Sequence, residues 1–311
     1  MYRELPQAFP FLFCFSMLKR IFIAVFVLSL IASCAIMRPS TPLSAEAHEY
    51  FVEGNHEQAL ELYEAFIGAH ADNVLQIPDT VYRDAGLSAF YLDNHTKALE
   101  YLNLIRHSED TNAPTHYALA IMNREIDNLS REITALESYV KNYPGEEHFE
   151  EMRIRLFEVW VESRNYEKAY ELWPDIEDEA ALKESLLNDY FTVIKALEKE
   201  EALYETASSL HDLNPDNTDA LDFLARHYFW KAENRYQSEM EAYERNRTHR
   251  QYAQLLRAFD VLNADFRKSL SYFLHLYELD PQPRHARLIG NIYLRFNDES
   301  KARYYHRKAS N

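Results

Sequence analysis

Four segments of this chain repeat one outline: EYFVEGNHEQALELYEAFI at 49–67, SAFYLDNHTKALEYLNLI at 88–105, WVESRNYEKAYELWPDI at 160–176 and NIYLRFNDESKARYYHRKA at 291–309. Each reads as an aromatic-rich helix, a short polar turn and a second helix that carries a small residue. Aligning that small residue gives Ala59, Ala98, Ala169 and Ala302, with degenerate counterparts at Glu132, Leu203 and Ser269. The successive separations are 39, 34, 37, 34, 66 and 33 residues. Self-similarity at periods of about 20–50 residues marks an array in which each unit buries its apolar face against the next.

The physics of close packing leads to the same pattern. Two helices approach closely only where a side chain is small, so aromatics such as Tyr50, Tyr63, Trp160 and Trp173 are expected to fill the wider gaps. Pro78, Pro114, Pro144, Pro174, Pro215 and Pro281 are placed between helices, where proline costs least. No run of alternating β-branched residues suggests a sheet. The expected fold is all-α, a solenoid of about seven hairpins with an extended concave surface.

The separation of 66 is the exception. Between Pro215 and Pro281 lie 65 residues with neither proline nor glycine, which predicts two long helices. Leu221, Ala225, Tyr228, Ala232, Tyr236, Met240 and Tyr243 follow one face, answered by Tyr252, Leu255, Phe259, Leu262, Phe266, Leu270, Phe273 and Tyr277. The turn is placed in ERNRTH at 244–249, with Thr248 as N-cap. A helix of roughly 30 residues spans about 45 Å, so this hairpin should project beyond its neighbours. It reads either as an overlong repeat packed on itself or as a docking arm, with Arg245, Arg247 and Arg250 at its tip beside Tyr243 and Tyr252.

On these residues the chain resembles the tetratricopeptide repeat (TPR) family from about residue 45 onward. The family's small first-helix residue corresponds to Ala47, Gly86, Ala120, Ala225 and Gly290, and its closing proline to Pro144, Pro215 and Pro281. Phe157 and Phe191 depart from the first pattern, and Glu132, Leu203 and Ser269 from the second-helix alanine. A generic array of helical hairpins would give the same punctuation. The resemblance implies a right-handed solenoid and a protein-binding concave face, on which Arg226, Arg287, Asn291 and Arg295 would share one groove. Some relatives hold peptide C-terminal carboxylates with such residues; the family's paired lysines are lacking here.

The N-terminus adds an address. Lys19 and Arg20 precede an apolar run from Ile21 to Ile31, then Ala32, Ser33 and Cys34, a charged region, an apolar region and a small-residue cleavage site. The run is shorter than the ~20 residues of a spanning helix. IASC resembles the lipobox of bacterial lipoproteins, in which the cysteine is acylated and the preceding segment removed; an ordinary signal peptide or anchor with a chance cysteine is the alternative. Met17 is the more natural start. The expected organisation is a signal peptide at 1–33, a lipidated Cys34 and tether at 34–44, TPR-like repeats at 45–215, an elongated hairpin at 216–281 and a closing hairpin at 282–311. Ala35 beside the cysteine points to the outer membrane, facing the periplasm.

Charge excludes general nucleic-acid binding. The chain carries 33 Lys and Arg against 50 Asp and Glu, net −17, where phosphate recognition needs the opposite sign. The charge is also divided: residues 34–225 hold 14 basic against 39 acidic groups, net −25, and residues 226–311 hold 16 against 10, net +6. Such asymmetry orients partners, including a second copy of the chain. His48, Glu49, His56 and Glu57 cluster in sequence without the His-Glu-x-x-His spacing of a zinc protease. The five glycines are isolated and form no phosphate-binding loop. No cofactor, metal or enzymatic activity is expected. The reading is a membrane-anchored interaction scaffold of the cell envelope, in the manner of TPR lipoproteins of outer-membrane assembly; a glycan- or nutrient-binding lipoprotein is the alternative, suggested by 22 Tyr, 18 Phe and 3 Trp.

Overall fold

The computed structural model describes residues 42–310; Cys34, the segment before it and most of the tether lie outside them. The described residues are all-α, with 14 α-helices, one 3-10 turn and no strand. They form two compact units, divided between Ala118 and Leu119.

The first unit holds α1 (Leu43–Val52), α2 (His56–Ala69), a 3-10 turn (Ala71–Gln76), α3 (Asp79–Tyr91), α4 (His95–Ile105) and the start of α5 (Ala113–Glu125). The second continues with α6 (Leu129–Asn142), α7 (Phe149–Glu162), α8 (Tyr166–Ala180), α9 (Glu184–Ala196), α10 (Glu200–Leu213), α11 (Thr218–Arg245), α12 (His249–Leu279), α13 (Pro283–Arg295) and α14 (Glu299–Lys308). Taken two by two these are seven TPR-like hairpins, the sixth elongated.

Six of the seven internal turns use one device. The second residue after the first helix lies in the left-handed region: Gly54, Asp93, Asp127, Arg164, Glu198 and Asn297, with φ between 53° and 77°. In the α3–α4 turn Asp93 N–H donates to Phe90 O and Asn94 N–H to Ala89 O, a Schellman motif that satisfies the orphan carbonyls of the helix end. Asn94 then caps the next helix, its side chain accepting from Lys97 N–H at 3.3 Å. One residue therefore ends one helix and starts the next, which keeps the turn at three residues.

The aligned small positions all lie inside. Ala59, Ala98, Ala169 and Ala302 are fully buried, as is Ser269, and Glu132 and Leu203 are buried as well. A Cβ on Gly86 would stand 2.5 Å from Leu102 Cδ2, and one on Gly290 would enter the His306 ring. Each departure has its own solution. Ser269 Oγ donates to the Ala225 carbonyl at 2.7 Å, joining the small positions of α11 and α12. Phe157 and Phe191 are buried among Trp173, Leu186, Leu187 and Ile194.

The proline expectation needs two corrections. Pro114 is the second residue of α5, where a missing N–H is one of the unpaired first-turn donors anyway. Pro174 lies inside α8; the Tyr170 carbonyl loses its donor four residues on, yet the helix continues because Trp173, Ile176 and Ala180 keep one face buried.

The long hairpin has helices of 28 and 31 residues, about 42 and 46 Å at 1.5 Å per residue. Thr248 caps α12, its hydroxyl accepting from Gln251 N–H at 3.2 Å. Contacts run its whole length, from Phe229 on Phe266 through Tyr236 on Phe259 to Tyr243 on Tyr252. Its neighbours α10 and α13 have 14 and 13 residues, so the far half of the hairpin overhangs them as an arm.

Candidate functional site

Three open clefts mark the second unit. The first, about 400 Å³, is lined from α5 to α9 by residues including Ile121, Arg124, Met152, Arg155, Glu158 and Lys183. Arg155 organises it. Its Nε donates to Glu132 Oε1 at 2.7 Å, its Nη2 to Glu132 Oε2 at 3.3 Å and its Nη1 to Glu158 Oε2 at 3.1 Å. Glu132 occupies the second-helix small position, so the forked guanidinium supplies the countercharge that burial demands. Burial works against the Arg155 cation, but the hydrogen bonds and charges of Glu132 and Glu158 outweigh it and its pKa rises. On the adjoining helix, burial and then Glu158 push the Asp189 carboxyl up.

A second cleft, about 430 Å³, lies between α11 and α13 and is lined by Trp230, Gln237, Leu288, Asn291, Leu294 and Arg295 among others. Trp230 and Leu294 are about half exposed, at 51% and 49%. Arg295 is held in place: Nη2 donates to Glu233 Oε1 at 2.5 Å, Nε to Glu233 Oε2 at 3.0 Å, and the guanidinium lies 4.1 Å from the Tyr236 ring centre. Asn291 Oδ1 lies 3.1 Å from His306 Nε2. The structure thus brings Asn291 and Arg295 to one cleft. Arg226 is outside its lining, bonded to Asp222 at 2.8 Å, and Arg287 is exposed elsewhere on α13.

The third cleft, about 460 Å³, is bounded by α6, α7 and α8. Val140, Leu156, Trp160 and Leu172 form its apolar side, and Glu137, Lys168, Glu171 and Asp175 its polar side. Lys168 bridges to Glu137 at 2.6 Å and lies over the Trp160 ring at 5.4 Å.

The arm tip carries the other expected residues. Tyr243 and Tyr252 face each other with ring centres 5.9 Å apart. Arg245 Nε donates to the Glu241 carbonyl at 3.4 Å and its Nη2 lies 3.9 Å from the Glu241 carboxylate, and Arg247 and Arg250 are exposed.

One polar centre in the first unit escaped the sequence. Asp84, 3% exposed, accepts from Arg83 Nε at 2.8 Å and Tyr63 OH at 3.2 Å, and lies 3.1 Å from His48 Nδ1. It binds α1, α2 and α3 together beside a cleft of about 420 Å³. Its residues are 36 and 21 apart in sequence, so no local spacing could disclose them. Among the described residues no group of three or more His, Cys, Asp or Glu could hold a metal ion.

No family model matches the chain, nor does any curated protein. Among solved structures, a MamA structure (AMB-1) aligns over 75% of this chain and 90% of its own, at 12% identity and a TM-score of 0.31. YrrB, a TPR protein with an unusual peptide-binding site, aligns over 59% and 90%, at 15% and 0.41. A Bacteroides ovatus ATCC 8483 protein assigned to protein binding aligns over 72% and 99%, at 17% and 0.46. At such identities and scores the likeness transfers no functional residue. The reading below rests on this chain's own side chains.

Proposed function

We propose that this chain is a non-catalytic scaffold that holds partner proteins in the clefts of its hairpin array. It is tethered to the bacterial outer membrane through a lipid on Cys34, and it serves envelope assembly. The supporting observation is the cleft between α11 and α13. Half-exposed Trp230 and Leu294 offer apolar anchors, while the guanidinium of Arg295, already fixed by Glu233 and Tyr236, gives a positioned donor at little further entropic cost. That combination suits a short protein segment with one apolar and one acidic or carbonyl group.

Crosslinking in intact envelopes, followed by capture of the chain, tests the reading. Trp230→Ala with Leu294→Ala is expected to lose a crosslinked protein while helical content stays as in the parent. An unchanged crosslink pattern places binding elsewhere. For the anchor, labelled fatty acid should enter the chain and be lost in Cys34→Ala; label that persists in this variant removes the lipid from the proposal.

A further inference from the structure

The cleft between α11 and α13 is electrically neutral. Among the described residues that line it, only Glu233 and Arg295 carry charge, and the guanidinium of one is bonded to both carboxylate oxygens of the other. Glu233 is 8% exposed, so little water screens its charge. A carboxylate brought to Arg295 from outside therefore meets the Glu233 anion as well as the cation, and the repulsion offsets much of the attraction. Its lost hydration goes largely unrepaid. An uncharged carbonyl has far less hydration to lose and still accepts a hydrogen bond.

Two donors remain on one helix. Arg295 uses Nε and Nη2 on Glu233, which leaves Nη1. Asn291 Oδ1 accepts from His306 Nε2 at 3.1 Å, which leaves the amide N–H group. The two residues are four apart on α13, about 6 Å along the helix axis. Alternate carbonyls of an extended chain point the same way and are about 6.6 Å apart, so the two donors match the main chain of an extended segment. Across the cleft, Gln237 donates from Nε2 to Glu233 Oε1 at 3.1 Å and keeps its own Oε1 as an acceptor for a main-chain N–H.

We infer that this cleft holds an uncharged, extended internal segment of a partner protein by its main chain, and that Glu233 is the residue that sets this choice against a free C-terminal carboxylate. One aliphatic side chain of the segment lies against the half-exposed Trp230 and Leu294, and its neighbours in sequence point the other way. The carboxylate grip that the TPR resemblance implies for Asn291 and Arg295 is cancelled here from within. The inference deepens the scaffold reading and rests on it.

A library of random peptides, acetylated at one end and amidated at the other so that neither end is charged, tests this on the immobilised full-length chain. Peptides that bind the parent and not Trp230→Ala with Leu294→Ala report the cleft. Each is then truncated residue by residue, with an acid or an amide at the new end. In the parent the amide is expected to bind at least as tightly as the acid at every truncation. Glu233→Gln frees the Arg295 cation, so the acid that ends beside it should gain at least about tenfold over its amide. Damage to the fold would move both forms alike and leave that ratio unchanged. Asn291→Ala should weaken acid and amide to the same degree. A truncated acid that outbinds its amide in the parent, or a ratio that Glu233→Gln does not move, overturns the inference and leaves the scaffold reading standing. A library with no peptide dependent on Trp230 and Leu294 overturns the cleft reading and this inference with it.

Discussion

Glu132 shows how one side chain can break a repeat and still be accommodated. The second-helix position calls for a small residue, and a carboxylate there is tolerated because Arg155 forks onto both its oxygens. Arg155→Met should cost about 3–5 kcal/mol, since it strands a buried charge, and adding Glu132→Leu should recover most of that; urea midpoints of the two variants measure it. Gly290 makes the complementary point. A methyl at this position enters the His306 ring, so Gly290→Ala is expected to lose about 1–3 kcal/mol and regain much of it when combined with His306→Ala. His285, almost wholly buried, has its pKa lowered by burial. A depressed imidazole favours the folded state above its ordinary 6.5 and loses that contribution as pH falls through the lowered value. Melting temperature should therefore drop on acidification below 6.5, with a shallower slope in His285→Gln.

The element that most limits this fold is the three-residue turn. Five of its six left-handed residues are not glycine, and each bears steric strain of about 1–2 kcal/mol. Arg164→Gly and Glu198→Gly should relieve part of that strain and raise stability by about 0.5–1 kcal/mol each, after the greater entropy of the unfolded chain is subtracted. Gly54→Ala, at φ 77° with nothing near its Cβ, should move the other way. Chemical denaturation reports all three. The pairs GN, DN, DN, RN, EK and ND were present in the sequence at these turns, but only Gly, Asn and Asp advertise a left-handed conformation, and Arg and Glu do not. Arg164 and Glu198 are held there by the hydrogen bonds of the Schellman motif, which form only once both helices exist.

Across the molecule, stability and reach are separate properties. The far half of the arm packs on itself through Tyr236, Phe259, Tyr243 and Tyr252, while the buried cluster near its base, with Phe229, Phe266, Phe273 and Ile289, joins it to α13. Replacing residues 239–255 by a short turn should therefore leave the melting temperature of the rest nearly unchanged, which calorimetry can read.

The sequence by itself determined the all-α hairpin array, its seven aligned positions and the length and turn of the long hairpin. These depend on local periodicity and on small residues that must recur wherever helices cross. It did not determine that Pro174 would sit within α8, that Arg295 would be occupied by Glu233, or that Asp84 would gather three helices. Those outcomes depend on which side chains meet across residues 21 to 62 positions apart. Long-range electrostatic and packing terms there override the local preferences that a sequence displays.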